Sequence, residues 1–406
     1  MSEGPLGTIP QINIDVFCEN ADAAQVIKES AADRRMSRAS IRVLMGGIPR
    51  ALTAYEHDTT PEVVVVEVQG NRDNILSQIE DLADVCDINT QVIILGRVND
   101  VVLYRELIRR GVRDYLAAPF DVYSIIRSIS ELFGAEGNKP IGKAYSCMGV
   151  RGGAGCSSIV QNIGMALAGA FDTATVLVDF DLAFGTLALN FNEDSQQNIL
   201  EVIFDPTRVD NVLLERLLLP YNKKLSLLCA PYATTRTYDI PERAADAIID
   251  NLRTMVPVTI LDIPNGWSSW QSHSLMSADE IILVCNPDLA SLRSTRQLLD
   301  LFQRERPNDQ PPKVILNQVG MPKRDLEEID PGEFEAGLNT KLLGTVSFDA
   351  NAFAASANNG KPLVETDPDN PVSKEIIRIA GELIGRRIEE PARKSPLDFL
   401  SKFTKR

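Results

Sequence analysis

The chain has 406 residues, 44% of them hydrophobic and 24% charged, with a formal net charge of −15. That length divides between two cores, since a single core rarely grows past about 250–300 residues, and the acid excess argues against non-specific nucleic-acid binding, which needs clustered Lys and Arg on phosphates. No apolar run reaches the roughly 18–20 residues that cross a bilayer, and the opening "MSEGPLGTIP" has no basic and apolar signal-peptide parts.

Residues 12–134 alternate between strand-like and helix-like runs. The strands are "INIDVF" (12–17), "IRVLM" (41–45), "VVVVEV" (63–68), "QVIIL" (91–95) and "RDYLA" (113–117). Helical patterns such as "DNILSQIEDLADVC" (73–86) separate them, with apolar residues three and four apart. Strands apolar on both faces imply a doubly wound, five-stranded parallel sheet of flavodoxin-like type over residues 1–134. The Gly- and Pro-containing "FGAEGNKPIGK" then places a linker at 135–143.

A larger α/β domain with a mostly parallel sheet is expected over 144–388. Its strand candidates are "AYSCMG" (144–149), "ATVLVDF" (174–180), "LSLLCA" (225–230), "VTILDI" (258–263), "EIILVC" (280–285), "KVILN" (313–317) and "LLGTV" (342–346). Residues 389–406 read as a tail, flexible or a short amphipathic helix. Leu397, Leu400 and Phe403 recur every third residue there, with Lys402, Lys405 and Arg406 beside them. So short an apolar face gives a peripheral membrane contact at most. The six cysteines are scattered and only two histidines are present. Neither a zinc spacing nor a disulfide framework results, and the expected compartment is the cytoplasm.

The element order over 12–134, closing on "GVRDYLAAPFD", resembles the receiver domains of two-component signalling. That resemblance implies an Mg²⁺-holding acidic cluster, a phosphate-accepting Asp ending the third strand, and a Lys before a Pro after the fifth. This chain instead has Glu67, and Ala118 before Pro119. Gly96 stands where the fourth strand would supply a hydroxyl. A Glu carboxylate lies one methylene away from in-line phosphoryl geometry. Glu67 therefore marks a degenerate receiver position, and the domain is expected to dock or dimerise.

The second domain opens with "SCMGVRGGAGCSSIVQNIG" (146–164): a strand, a glycine-rich turn and a helix of about 14 residues. Gly152, Gly153, Ala154 and Gly155 can close backbone N–H groups around a phosphate at the positive end of that helix. The standard loop ends G-K-[ST]; here Cys156 replaces the lysine, followed by Ser157 and Ser158, with Ser157 placed to hold Mg²⁺. Asp179 and Asp181 end one strand and Asp262 ends another. Ligands collect at that edge of a parallel sheet.

The full order, from "GVRGGAGCSS" through "VLVDFDLAFGTLAL", "TILDIPNGW" and "ADEIILVCNPDLASLRSTRQLL" to "KVILNQVG", resembles the MinD/ParA branch of P-loop ATPases over nearly all of 144–388. With a degenerate receiver in front, it resembles the CpaE/TadZ proteins of Flp-type (Tad) pilus assembly. The resemblance implies ATP and Mg²⁺ as ligands. It puts Arg151 at the signature position acting across a dimer, and Asp179 at the attacking water. Ser157, Asp181 and Asp262 fall at the Mg²⁺, and Asn317 at the adenine. The implied partners are a second copy and the pilus secretion ATPase or other Tad components, at a cell pole. Without the lysine, hydrolysis is expected to be slow or absent, because one lost transition-state donor costs roughly 10²–10³ in rate. Two other readings stay open: a cycling ParA/MinD-like ATPase of positioning, division or partition, and a phosphorylation-responsive regulator. A P-loop fold that no longer holds nucleotide is a third.

Overall fold

A computed structural model describes residue 9 and residues 12–56, 58–134, 141–194, 198–205, 208–231, 240–322 and 328–386. The tail over 389–406 and linker residues 135–140 lie outside this set. The chain divides into two compact units, Met1–Ile141 with Asn308–Gln310, and Gly142–Pro307 with Pro311–Arg406.

The first unit has five strands, β1 (Ile12–Cys18), β2 (Ala39–Met45), β3 (Val63–Glu67), β4 (Gln91–Gly96) and β5 (Asp114–Ala117). All pair in parallel in the order β2-β1-β3-β4-β5, which is the flavodoxin-like order. The valines of β3 show why this run is a strand. Val63 and Val65 join one apolar cluster, Val64 and Val66 the cluster on the other face, and all four are buried. β-Branched side chains suit that two-sided environment, and each burial contributes about 1.5–3 kcal/mol of transfer free energy. The helix expected at 73–86 runs Arg72–Ala83, capped by the Asn71 side chain on the Asn74 N–H.

The second unit has eight strands: β6 (Lys143–Gly149), β7 (Thr175–Asp179), β8 (Leu219–Pro220), β9 (Leu225–Leu228), β10 (Val258–Ile263), β11 (Glu280–Cys285), β12 (Lys313–Val319) and β13 (Gly344–Ser347). Their order is β13-β12-β11-β6-β10-β7-β9-β8, parallel except for β8 against β9. The seven strands read from sequence are present, shifted by up to two residues at their ends. The two-residue β8 escapes detection because it is too short to show a period. The sheet is sandwiched between two apolar clusters, with Met148, Leu261 and Leu283 on one face and Cys147, Ile260 and Ile282 on the other. β6 therefore lies mid-sheet between β11 and β10, and its glycine loop opens at the C-terminal edge. No helix among the described residues is long and apolar enough to cross a membrane.

The helix after the loop, Cys156–Gly169, packs closely on β7. A Cβ on Gly164 would stand 2.6 Å from Leu177 Cδ2 and 2.9 Å from its Cγ, and Leu177 is fully buried. Propensity alone would make Gly164→Ala stabilising by about 1 kcal/mol. The packing predicts the opposite, a loss of about 1–3 kcal/mol, read as a lower melting temperature by calorimetry. A higher one would show that the helix stands off the sheet.

Candidate functional site

The loop after β6 has the geometry of an anion cradle. Gly153 (φ +80°) and Gly155 (φ +82°) occupy left-handed backbone that residues with a Cβ enter at a cost. Among the described residues, the N–H groups of Gly152, Gly153, Gly155, Cys156, Ser157 and Ser158 donate to no backbone carbonyl. A helix start accounts for some of these, and the glycines extend the set.

The loop carbonyls, by contrast, are tied down. The Asn265 amide donates to Gly149 O at 2.8 Å, Asn317 Nδ2 to Ala154 O at 2.8 Å and Gln318 Nε2 to Gly153 O at 3.1 Å. A planar trans peptide points its C=O and the following N–H in opposite directions. Holding Ala154 O on Asn317 therefore aims the Gly155 N–H away from Asn317. The fit is close enough that a Cβ on Gly155 would lie 2.5 Å from Asn317 Nδ2.

Cys156 begins the helix, but its sulfur contacts Cys147 on β6 at 3.3 Å, and both thiols are free. The Cys147 thiol, burial and the nearby Asp262 carboxylate together push the Cys156 thiol well above its ordinary range. The sulfur is neutral at physiological pH, so the thiolate that a helix dipole could have produced does not form. The residue in the lysine position brings no charge of either sign.

The charges nearby include several carboxylates and Arg151. Asp179 accepts from the N–H groups of Asp181 (3.0 Å) and Leu187 (3.1 Å), holding the turn after β7. Burial, reinforced by Asp262, pushes Asp179 up to about 7. Burial pushes Asp262 up to about 6, partly offset by the Ser157 hydroxyl and the Cys156 thiol acting on its carboxylate. Asp181 Oδ1 accepts from the Phe184 N–H at 2.9 Å. Arg151 Nη1 lies 3.1 Å from Asp288 Oδ1 within the same chain. That half-exposed pair is worth only about 0–1 kcal/mol.

These residues fit magnesium nucleotide. The unpaired amides suit phosphate oxygens, and Ser157, Asp181 and Asp262 are hard oxygen donors of the kind Mg²⁺ takes beside substrate phosphates. No cluster of three His, Cys, Asp or Glu suited to a metal occurs among the described residues, so an ion here would rest on Ser157 and on phosphate as well. Sequence reasoning missed Asn265, Gln318, Asp288 and Cys147. Asn265 and the Asn317–Gln318 pair were visible as amides just beyond strand ends, but only the folded loop shows which carbonyls they reach.

In the first unit, Glu67 is buried at the end of β3. Its carboxylate accepts the N–H groups of Glu19 (2.8 Å) and Asn20 (3.1 Å), and the Asn20 side-chain amide as well. Asn20 also caps the helix Ala21–Ala31 through the Ala23 N–H. Glu67 thus anchors the turn after β1, beside a cavity of about 450 Å³ bordered by Asp22, Arg97, Ala118 and Phe120.

No protein-family profile matches the sequence. An uncharacterised ATP-binding protein of Methanocaldococcus jannaschii is 26% identical over 256 residues, 63% of this chain and 92% of that protein. The crystal structure of a ParA family ATPase from Chlorobium tepidum aligns with 60% of this chain and all of its own, at 23% identity and TM-score 0.53. The crystal structure of the pilus assembly protein CpaE of Caulobacter crescentus is 42% identical across 31% of this chain and 96% of its own, with TM-score 0.31. Fold and glycine loop together define a P-loop protein of MinD/ParA type. The 42% identity, which the superposition does not add to, makes the assignment narrower. The chain belongs to a CpaE/TadZ-type branch of the MinD/ParA superfamily.

The buried carboxylates predict a pH dependence. Unfolded, Asp titrates near 3.9; folded, Asp179 and Asp262 hold their protons to about 7 and 6. Stability from this pair is complete below the unfolded value and is lost as pH rises through 6–7. In metal-free buffer the melting temperature should fall between pH 5.5 and 8, and Asp179→Asn should flatten that fall. An unchanged slope in the variant would contradict the assignment.

Proposed function

We propose that the chain is an ATP-binding assembly factor for Flp-type (Tad) pili that hydrolyses ATP slowly or not at all. It works as a nucleotide-linked homodimer that brings pilus secretion components to the cell pole. The observation that carries this reading is a glycine loop with free amides, braced carbonyls and a neutral Cys156 where a lysine would reach the phosphates. Binding needs the cradle; fast transfer needs the missing charge. The names of the Methanocaldococcus and Caulobacter relatives support ATP binding and a pilus role.

In this reading Ser157 and the carboxylates of Asp181 and Asp262 hold the magnesium ion, directly or through water, and the ion neutralises phosphate charge. Ser158 continues the row of amide donors at the helix start. Asp179 orients water, weakly while it keeps a proton. Asn317 Nδ2 is committed to the loop, which leaves its Oδ1 to accept from an adenine amine. Arg151 supplies the cation once it leaves Asp288, an inexpensive step for an exposed pair.

A second copy has a surface to meet. Phe184, Trp267 and Leu289 are exposed at 79%, 48% and 73%. They follow β7, β10 and β11, neighbours or near neighbours of β6 in the sheet, so all three lie on the loop's edge with Arg151. Exposed apolar residues grouped this way mark association surfaces. The first unit serves as a docking module, with Glu67 committed to its own turn and unfit to take a phosphoryl group.

Calorimetric titration with Mg-ATP, with turnover measured on the same protein, tests the proposal. The native chain should bind with turnover near background. Cys156→Lys should raise turnover by about 10²–10³-fold, and Arg151→Ala should leave first binding intact while abolishing nucleotide-dependent dimerisation. No binding by the native chain would refute the reading.

A further inference from the structure

Gln318 holds φ +61°, in the left-handed region that a side chain enters at a cost. It stands where β12 and β13 lose register between Asn317 and Val319. Its Nε2 donates to Gly153 O at 3.1 Å and its Oε1 accepts from Asn286 Nδ2 at 3.0 Å. Asn286 follows β11 directly and is buried. One side chain therefore bridges the end of β11 and the glycine loop from a strained backbone position. Gly would take that backbone freely. Asn takes it more readily than Gln but is one methylene shorter. Strain of this kind persists where the surroundings over-determine it, and it concentrates at functional sites.

The fold itself does not require the bond, because the Gly153 carbonyl is near solvent and water could satisfy it. Its consequence falls on the peptide joining Gly153 to Ala154. With that carbonyl held outward, the Ala154 N–H points into the loop, where it makes only a long 3.3 Å contact to Arg151 O. A phosphate oxygen could replace so weak an acceptor.

We infer that Gln318 is a positioning residue for the nucleotide phosphates: through Gly153 O it orients the loop amides, in a loop where Cys156 stands at the lysine position. The inference rests on the nucleotide-binding reading above. Its test is calorimetric titration of Mg-ATP into the full chain carrying Gln318→Met, which keeps size and strain but loses the donor, and Gln318→Gly, which loses both donor and strain.

Both variants should bind about three- to ten-fold more weakly than native, the loss of about one net hydrogen bond. Without nucleotide, Gln318→Gly should melt at or above Gln318→Met, because glycine releases the left-handed strain. Affinity and stability then move apart, which a purely structural role would not produce. Native-like binding by Gln318→Met, or affinity losses that track melting temperature across the variants, would overturn the role of Gln318 alone. Failure of the native chain to bind ATP would overturn the function reading along with it.

Discussion

Three neutral amides acting on three loop carbonyls are the constraint from which the rest of the site follows. Asn265, Asn317 and Gln318 hold Gly149 O, Ala154 O and Gly153 O on the outside of the turn. Peptide planarity then turns the Ala154 and Gly155 N–H groups the opposite way, while the Val150 N–H after Gly149 pairs with Val284 O at 2.9 Å. The hydrogen bonds cost little to maintain, because each amide projects from a segment that ends a buried strand or follows one: β10 for Asn265 and β12 for the other two. The loop is thus shaped by the sheet beneath it.

Charge is arranged differently from shape. Cys156 packs its sulfur on Cys147 and stays neutral, while burial pushes Asp179 up to about 7 and Asp262 up to about 6, which leaves Asp262 mostly ionised at neutral pH. Arg151 is paired with Asp288 in its own chain, half exposed and weakly held. Such a site can gather phosphate through dipoles and a metal ion, yet among the described residues Cys156 leaves no fixed positive charge at the lysine position of the loop. Binding without rapid turnover is the behaviour we propose for it. It suits a component whose bound state must last long enough to organise an assembly.

Much of this was legible from the residues. The valine run of β3, the glycine turn before the helix Cys156–Gly169 and the aspartates at the ends of β7 and β10 follow from period, composition and placement in a parallel sheet. The loss of lysine at Cys156 and of the acceptor Asp at Glu67 was equally visible. What was hidden depends on contacts distant in sequence: Gln318 reaches Gly153 across 165 positions and Asn265 reaches Gly149 across 116. The state of the Cys156 thiol was hidden too, since it depends on Cys147 beneath it and not on the helix dipole alone. Glu67 was read as a vestige of phosphorylation chemistry; in the fold it anchors the turn after β1.

We propose that nucleotide joins two copies and leaves them joined. Sedimentation velocity of the native chain, with and without saturating Mg-ATP and followed over hours, measures this directly. The chain should sediment slowly alone and as a dimer with nucleotide that persists without decay. A sedimentation coefficient unchanged by nucleotide, or a dimer that dissolves as ATP is consumed, would contradict it.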